Sequence, residues 1–217
     1  MNMSSVFLHP SKALGLTILT LGCLLGMYGY EFFLPTIQID DAYISYRYAQ
    51  NLADGHGLVY NVGERVEGYT NLLWTLMVAA GIASGINASL MGHWLGFFSG
   101  VLLLLATYFY SRSLLPREMK WLALAAPALI YFSNSFAAWV ISGLETPLFA
   151  AWVTAALAAY VVRRIGWVLV FCILASLTRP EGVLLAALLL GVDWVVQLNA
   201  RPPKRLTELL RLSRPCL

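Results

Sequence analysis

Three long stretches of this chain carry no charge. No Asp, Glu, Lys or Arg lies between Lys12 and Glu31, between Glu67 and Arg112, or between Lys120 and Glu145. A helix needs about 20 apolar residues to cross the hydrocarbon of a bilayer, where every backbone polar group must be satisfied within the helix. Uncharged windows of that size therefore predict membrane spans. Composition agrees: 12% of the 217 residues are charged, 59% are hydrophobic, and the mean hydropathy is +0.72. Soluble domains carry about 25% charged residues, and half that supply cannot cover a globule of this size. Disorder and a disulfide scaffold are excluded on the same grounds. The fold class expected is all-α, a polytopic transmembrane bundle of about 6–7 spans.

The segments follow from the hydropathy pattern. The first span is expected at 13–34, ended by Pro35, and a polar stretch occupies 35–71. Apolar segments then run at about 72–86, 91–111, 121–137, 147–162, 165–178 and 182–198. Residues 1–198 read as one transmembrane domain, and 199–217 as a basic cytoplasmic tail or a truncation point. Leu21-Gly22-Cys23 departs from a lipoprotein cleavage site, with bulky Leu21 where a small residue is needed, so 13–34 reads as an uncleaved anchor helix. Cys23, Cys172 and Cys216 are far apart in apolar or terminal settings and fit neither a zinc spacing nor a redox pair.

Lys and Arg near span ends prefer the cytoplasm. If 72–86 crosses, Arg112, Arg117, Lys120, Arg163, Arg164 and the basic tail all fall outside. If 72–86 is instead a juxtamembrane or re-entrant helix on the outer side, every basic residue except Arg47, Arg65 and Arg179 lies inside. The second topology is preferred: six crossings with both termini cytoplasmic. The objection is length. The charge-free run 68–111 would extend about 66 Å as helix, enough for two crossings.

The preferred topology gathers acids on the outer face: Asp40, Asp41, Asp54, Glu64, Glu67, Glu145 and Glu181. It also gathers three polar clusters there: Asp40 to Asn71, Ser142-Gly143-Leu144-Glu145-Thr146-Pro147, and Thr178-Arg179-Pro180-Glu181-Gly182. Asp40 to Leu52 reads as an amphipathic helix, with Ile44, Tyr48 and Leu52 as an interfacial stripe and Asp40, Tyr43 and Arg47 on another face. The adjacent carboxylates of Asp40 and Asp41 suit general-base work, coordination of a divalent cation, or capping of the helix N-terminus. Glu145 either caps the following helix or contacts substrate. Arg179, between two apolar spans, is costly there and functional by default, or pairs with Glu181. His56, flanked by glycines, is a substrate contact or a turn histidine. Gly92, Gly96 and Gly100, like Gly81 and Gly85, read as close helix packing, and His93 as a packed interfacial side chain. The tyrosines of the outer loop read first as an interfacial aromatic belt.

The run Asp40-Asp41-Ala42-Tyr43-Ile44-Ser45-Tyr46-Arg47-Tyr48-Ala49, then Gly55-His56-Gly57-Leu58-Val59-Tyr60-Asn61, then Gly63-Glu64-Arg65-Val66-Glu67-Gly68-Tyr69-Thr70-Asn71 with Trp74, strongly resembles the GT-C superfamily of bacterial integral-membrane glycosyltransferases. It looks most like the mycobacterial terminal arabinofuranosyltransferase-like branch, within the broader arabinofuranosyltransferase and mannosyltransferase group. The 142–147 and 178–182 clusters also look like that family's later loops, and the likeness covers about residues 10–198, the family's N-terminal portion.

The resemblance implies a multi-pass enzyme of the bacterial inner membrane. It would move a sugar from a polyprenyl-phosphate carrier to a glycan, lipid or protein hydroxyl on the outer face, with inversion. The family's outer-loop base falls on Asp40 or Asp41; Asp40 is the one expected to act, with Asp41 orienting it or the acceptor. Arg47, Arg65 and Arg179 are the outer-face cations available to carrier phosphate, and His56, Glu67, Glu145 and Glu181 complete the expected substrate contacts. Membrane lipids are expected partners. Nucleic acid is not, since the net charge is only +3. No resident metal or other cofactor is assigned, and a divalent cation on the carboxylate pair stays open. Family members continue for further spans, so the alternative is a truncated non-catalytic subunit or pseudoenzyme that binds lipid carrier or partner helices.

Overall fold

The computed structural model describes residues 38–200, with Gly22 and Gly26 before them, and side chains to Val196. Apart from those two glycines, the first span expected at 13–34 lies outside the described residues, as does the tail beyond Ala200. Those described are all-helical: α1 (Asp40–Ala53), α2 (Leu72–Ala83), α3 (Ala88–Leu114), a 3-10 segment (Arg117–Leu124), α4 (Ala125–Tyr131), α5 (Asn134–Ile141), α6 (Thr146–Val161), α7 (Ile165–Thr178) and α8 (Gly182–Ala200).

Among the described residues α3 alone is long and apolar enough to cross a bilayer by itself. The 3-10 segment with α4 and α5 makes a second candidate if the pair, bent by 65°, counts as one span. The helices α2, α6, α7 and the described part of α8 are apolar but shorter. The 16 residues of α6 rise about 24 Å at 1.5 Å per residue, against a hydrocarbon core of roughly 30 Å.

The expected segment 121–137 is not one helix. Pro116 opens a 3-10 turn, and the chain re-starts at Asn134, where Ser133 caps the new helix by accepting from the Phe136 amide. A serine with its side chain turned back on the backbone competes with helix continuation, which is the physical reason for the break.

The helices α3 and α6 run parallel. The start of α3 packs against α1, while Leu95 of α3 and Leu148 of α6 share a core cluster with Trp74 and Val78 of α2. The helix α7 returns antiparallel, so that Arg179 at its end meets Glu145 at the head of α6. The bundle therefore has two chemically distinct ends. One holds α1, Asn71, Glu145 and Arg179. The other holds Arg112 beside Tyr108, the 3-10 segment with Arg117 and Lys120, and the α6–α7 turn with Arg163 and Arg164. Both ends of α2 stay at the first: Asn71 bonds Glu145, and Gly81 packs on Met91 near the start of α3.

The glycine series in α3 serves close packing. A Cβ on Gly92 would collide with the Tyr46 hydroxyl, and one on Gly96 with the Val140 carbonyl. The inward face of α1 is Ala42, Ser45, Tyr46 and Ala49 at i, i+3, i+4 and i+7. Tyr48 of the expected interfacial stripe is instead buried, while Ile44 remains exposed.

Candidate functional site

Asp40 and Asp41 occupy the first turn of α1, where negative charge complements the helix dipole. Neither caps it: Ile39 is the N-cap, in an extended conformation, and no side-chain cap bond forms. Both aspartates are exposed. Among the described residues neither carboxylate joins an ion pair. The Ile39 amide donates to the Ser142 carbonyl at 3.0 Å, which fastens the start of α1 to the 142–147 loop.

That loop is held tightly. Ser142 is fully buried, and the Tyr46 hydroxyl donates to the Gly143 carbonyl at 3.4 Å. Burial pushes the Tyr46 phenol well above its ordinary range. Gly143 has φ +79, and a Cβ there would meet Tyr46 and come within 3.0 Å of Ala42. Only glycine satisfies both the left-handed backbone and the space.

Glu145 follows, 8% exposed. It stands at the head of α6 without making a side-chain cap. Its carboxylate turns inward instead. Asn71 Nδ2 donates to Glu145 Oε2 at 2.9 Å and to Ser45 Oγ at 2.9 Å, while Asn71 Oδ1 accepts from Thr75 Oγ1 at 3.0 Å. On the other side Arg179 Nη1 lies 3.7 Å from Glu145 Oε1. Arg179 ends α7 with an extended backbone, φ −151 and ψ 142, as a residue before proline must. Its guanidinium sits 5.8 Å over the Phe149 ring and donates through Nη2 to Glu181 Oε1 at 3.2 Å. The Glu181 carboxyl is held below its usual value by a hydrogen bond from its own backbone amide and then by Arg179.

The three polar clusters thus meet: Ser45 and Asn71 from the first, Glu145 from the second, Arg179 and Glu181 from the third. The remaining expected residues lie elsewhere in the loop. Arg47 Nε donates to the Tyr60 carbonyl at 3.1 Å. His56, Arg65, Glu67 and Tyr69 line an open cavity of about 430 Å³. Burial first, then the charge of Glu67, raises the Tyr69 phenol. The loop is stitched to α1 by two buried side chains. The Tyr48 hydroxyl donates to the Val66 carbonyl at 2.9 Å and accepts from the Gly68 amide at 2.9 Å. Asn51 Nδ2 donates to the Val59 and Tyr60 carbonyls at 2.7 and 2.9 Å.

Asn71, Ser45, Thr75 and Asn51 had no assigned role in the sequence. Asn71 gave one signal, a polar residue just before an apolar run, which reads as a helix cap. It is the N-cap of α2, but its side chain bridges to Glu145 rather than capping.

Among the described residues no group of three or more His, Cys, Asp or Glu could hold a metal ion. No family model, curated protein or solved structure matches the chain.

Proposed function

We propose that this chain is a polytopic membrane glycosyltransferase of the GT-C kind, taking a sugar from a polyprenyl-phosphate carrier on the outer face of a bacterial inner membrane. The observation that carries the reading is the Asn71–Glu145–Arg179 connection, which joins the three loops that the family resemblance marks. Two further observations support it. Basic residues gather at the opposite end of the bundle, as a cytoplasmic face requires. The helices α7 and α8 present Trp167, Ile173, Leu184, Leu188 and Trp194 to the exterior, each more than half exposed, an apolar surface that water would not tolerate. In this arrangement α2 lies along the outer side, and with the segments outside the described residues the chain makes six crossings.

The acceptor hydroxyl attacks the anomeric carbon from the face opposite the carrier. Asp40 takes the hydroxyl proton, and the bond from the anomeric carbon to the carrier-phosphate oxygen breaks with its electron pair leaving on phosphate. The configuration inverts. Asp40 is solvent-facing and joins no ion pair among the described residues, which leaves its oxygens open to an acceptor hydroxyl. Asp41 orients the acceptor. Arg179 meets the developing phosphate charge through two parallel N–H donors. Glu145 keeps the guanidinium in place, while the exposed Glu181 contact is weak enough for phosphate to displace. Arg47 and Arg65, with His56 and Glu67, contact the remainder of the substrates.

A non-catalytic membrane subunit is the second reading, favoured by the exposed apolar face of α8, which a partner helix would cover. The test is direct. Membranes holding the full chain are given a panel of labelled polyprenyl-phosphate sugars. Transfer to a membrane acceptor above that of control membranes is expected, and its absence across the panel would favour the subunit.

A further inference from the structure

At the end of the bundle away from Glu145, two cavities adjoin. One, of about 680 Å³, is a slot between α3, α6 and α7 with apolar walls that include Leu105, Phe109 and Ala158. The other, of about 420 Å³, lies over the α6–α7 turn. Arg164 and Trp167 line both. Each volume falls within the roughly 300–1,000 Å³ of small-molecule sites.

The two arginines of the turn differ. Arg163 Nη1 donates to Asp193 Oδ1 at 2.7 Å, so its charge is balanced within the fold. Among the described residues no ion pair engages Arg164. A cation at the mouth of an apolar slot, with no ion pair among the described residues, suits a ligand that is anionic at one end and hydrocarbon along its length. Trp167 stacks on Phe171 at 5.7 Å yet is 58% exposed, the amphipathic setting tryptophan takes at the headgroup level.

We infer that the slot and the turn bind one anionic phospholipid of the surrounding bilayer, with an acyl chain in the slot and its phosphate on Arg164. The inference rests on the membrane part of the proposed function. It commits to a bilayer lipid because the surface beside the slot is itself apolar and exposed, with Val170 and Ile173 on α7. It commits to an anionic headgroup because a zwitterionic one brings its own cation toward Arg164. Basic pockets between membrane helices on the cytoplasmic side select anionic headgroups for this reason.

The test uses the full chain in phosphatidylcholine bilayers containing a small fraction of lipid brominated on its acyl chains. Bromines quench nearby indoles, and subtracting the Trp167→Phe signal isolates Trp167. Brominated phosphatidylglycerol is expected to quench at about fivefold lower mole fraction than brominated phosphatidylcholine. Arg164→Gln is expected to remove that preference and leave quenching by phosphatidylcholine unchanged. Equal quenching by the two lipids in the wild type, or a preference that survives Arg164→Gln, overturns the headgroup assignment alone. If neither lipid quenches Trp167 while other tryptophans such as Trp194 are quenched, the slot assignment is overturned; if no tryptophan is quenched by either lipid, the membrane reading falls with it. Where Trp167→Phe does not fold, native mass spectrometry of lipid retained by wild type and Arg164→Gln carries the same expectations.

Discussion

Glu145 and Asp40 are both carboxylates at the same end of the bundle, yet their surroundings are opposite. Glu145 is 8% exposed, with one oxygen on the Asn71 amide and the other facing Arg179. Asp40 stands in the first turn of α1, open to solvent, with no ion pair among the described residues. A carboxylate whose acceptor sites are filled by fixed donors positions other groups. One that keeps its lone pairs open can take a proton. On the proposed function the first carboxylate holds the site together and the second takes the proton, and each prediction below presses on that division.

The largest effect on stability is expected from Glu145→Ala. It leaves one N–H of the Asn71 amide without its acceptor and removes the acid facing Arg179. An unsatisfied buried group costs about 1–3 kcal/mol, and the partial exposure of Arg179 keeps the total toward about 3 kcal/mol rather than higher. Thermal melting in detergent reads it, and a midpoint equal to wild type would break the comparison at its structural side. Asn71→Ala comes next, at about 1–2 kcal/mol, because Ser45 and Thr75 can turn to other acceptors once the amide is gone. If Asn71→Ala melts like wild type, Glu145 is held by Arg179 alone.

The smallest effect concerns Glu181. Its folded pKa lies below the ordinary 4.5. The carboxylate therefore contributes stability above that ordinary value, and the contribution is lost as pH falls through the lowered folded value. The wild-type advantage over Glu181→Gln should be constant from neutral pH down to about 4.5 and disappear below it. An advantage that grows on acidification would place Glu181 in a different role.

Much of the fold is legible in the sequence because the bilayer argument depends on hydropathy alone. The expected segments 91–111, 147–162, 165–178 and 182–198 correspond to α3, α6, α7 and α8. The break within 121–137 is not legible that way, since Ser133 acts through a hydrogen bond to Phe136 that hydropathy does not register. The site is legible in part. The meeting of the 142–147 and 178–182 clusters follows from counting spans, because odd and even connections fall on opposite ends. The role of Asn71 does not follow, because an asparagine before a helix caps far more often than it bridges to a carboxylate from a residue 74 positions away. Tyr48 is a second such case. Its aromatic ring suggested an interface, whereas its hydroxyl serves two backbone groups of the outer loop.

The most direct measurement is sugar transfer by Asp40→Asn, taken on the same membranes as its melting midpoint. A general base contributes about 10²–10⁴-fold, so transfer should fall by at least about 100-fold. The midpoint should stay within the change expected of about 0.5 kcal/mol for an exposed surface site. Full transfer by Asp40→Asn would contradict the account, as would a loss of transfer that merely follows a loss of stability.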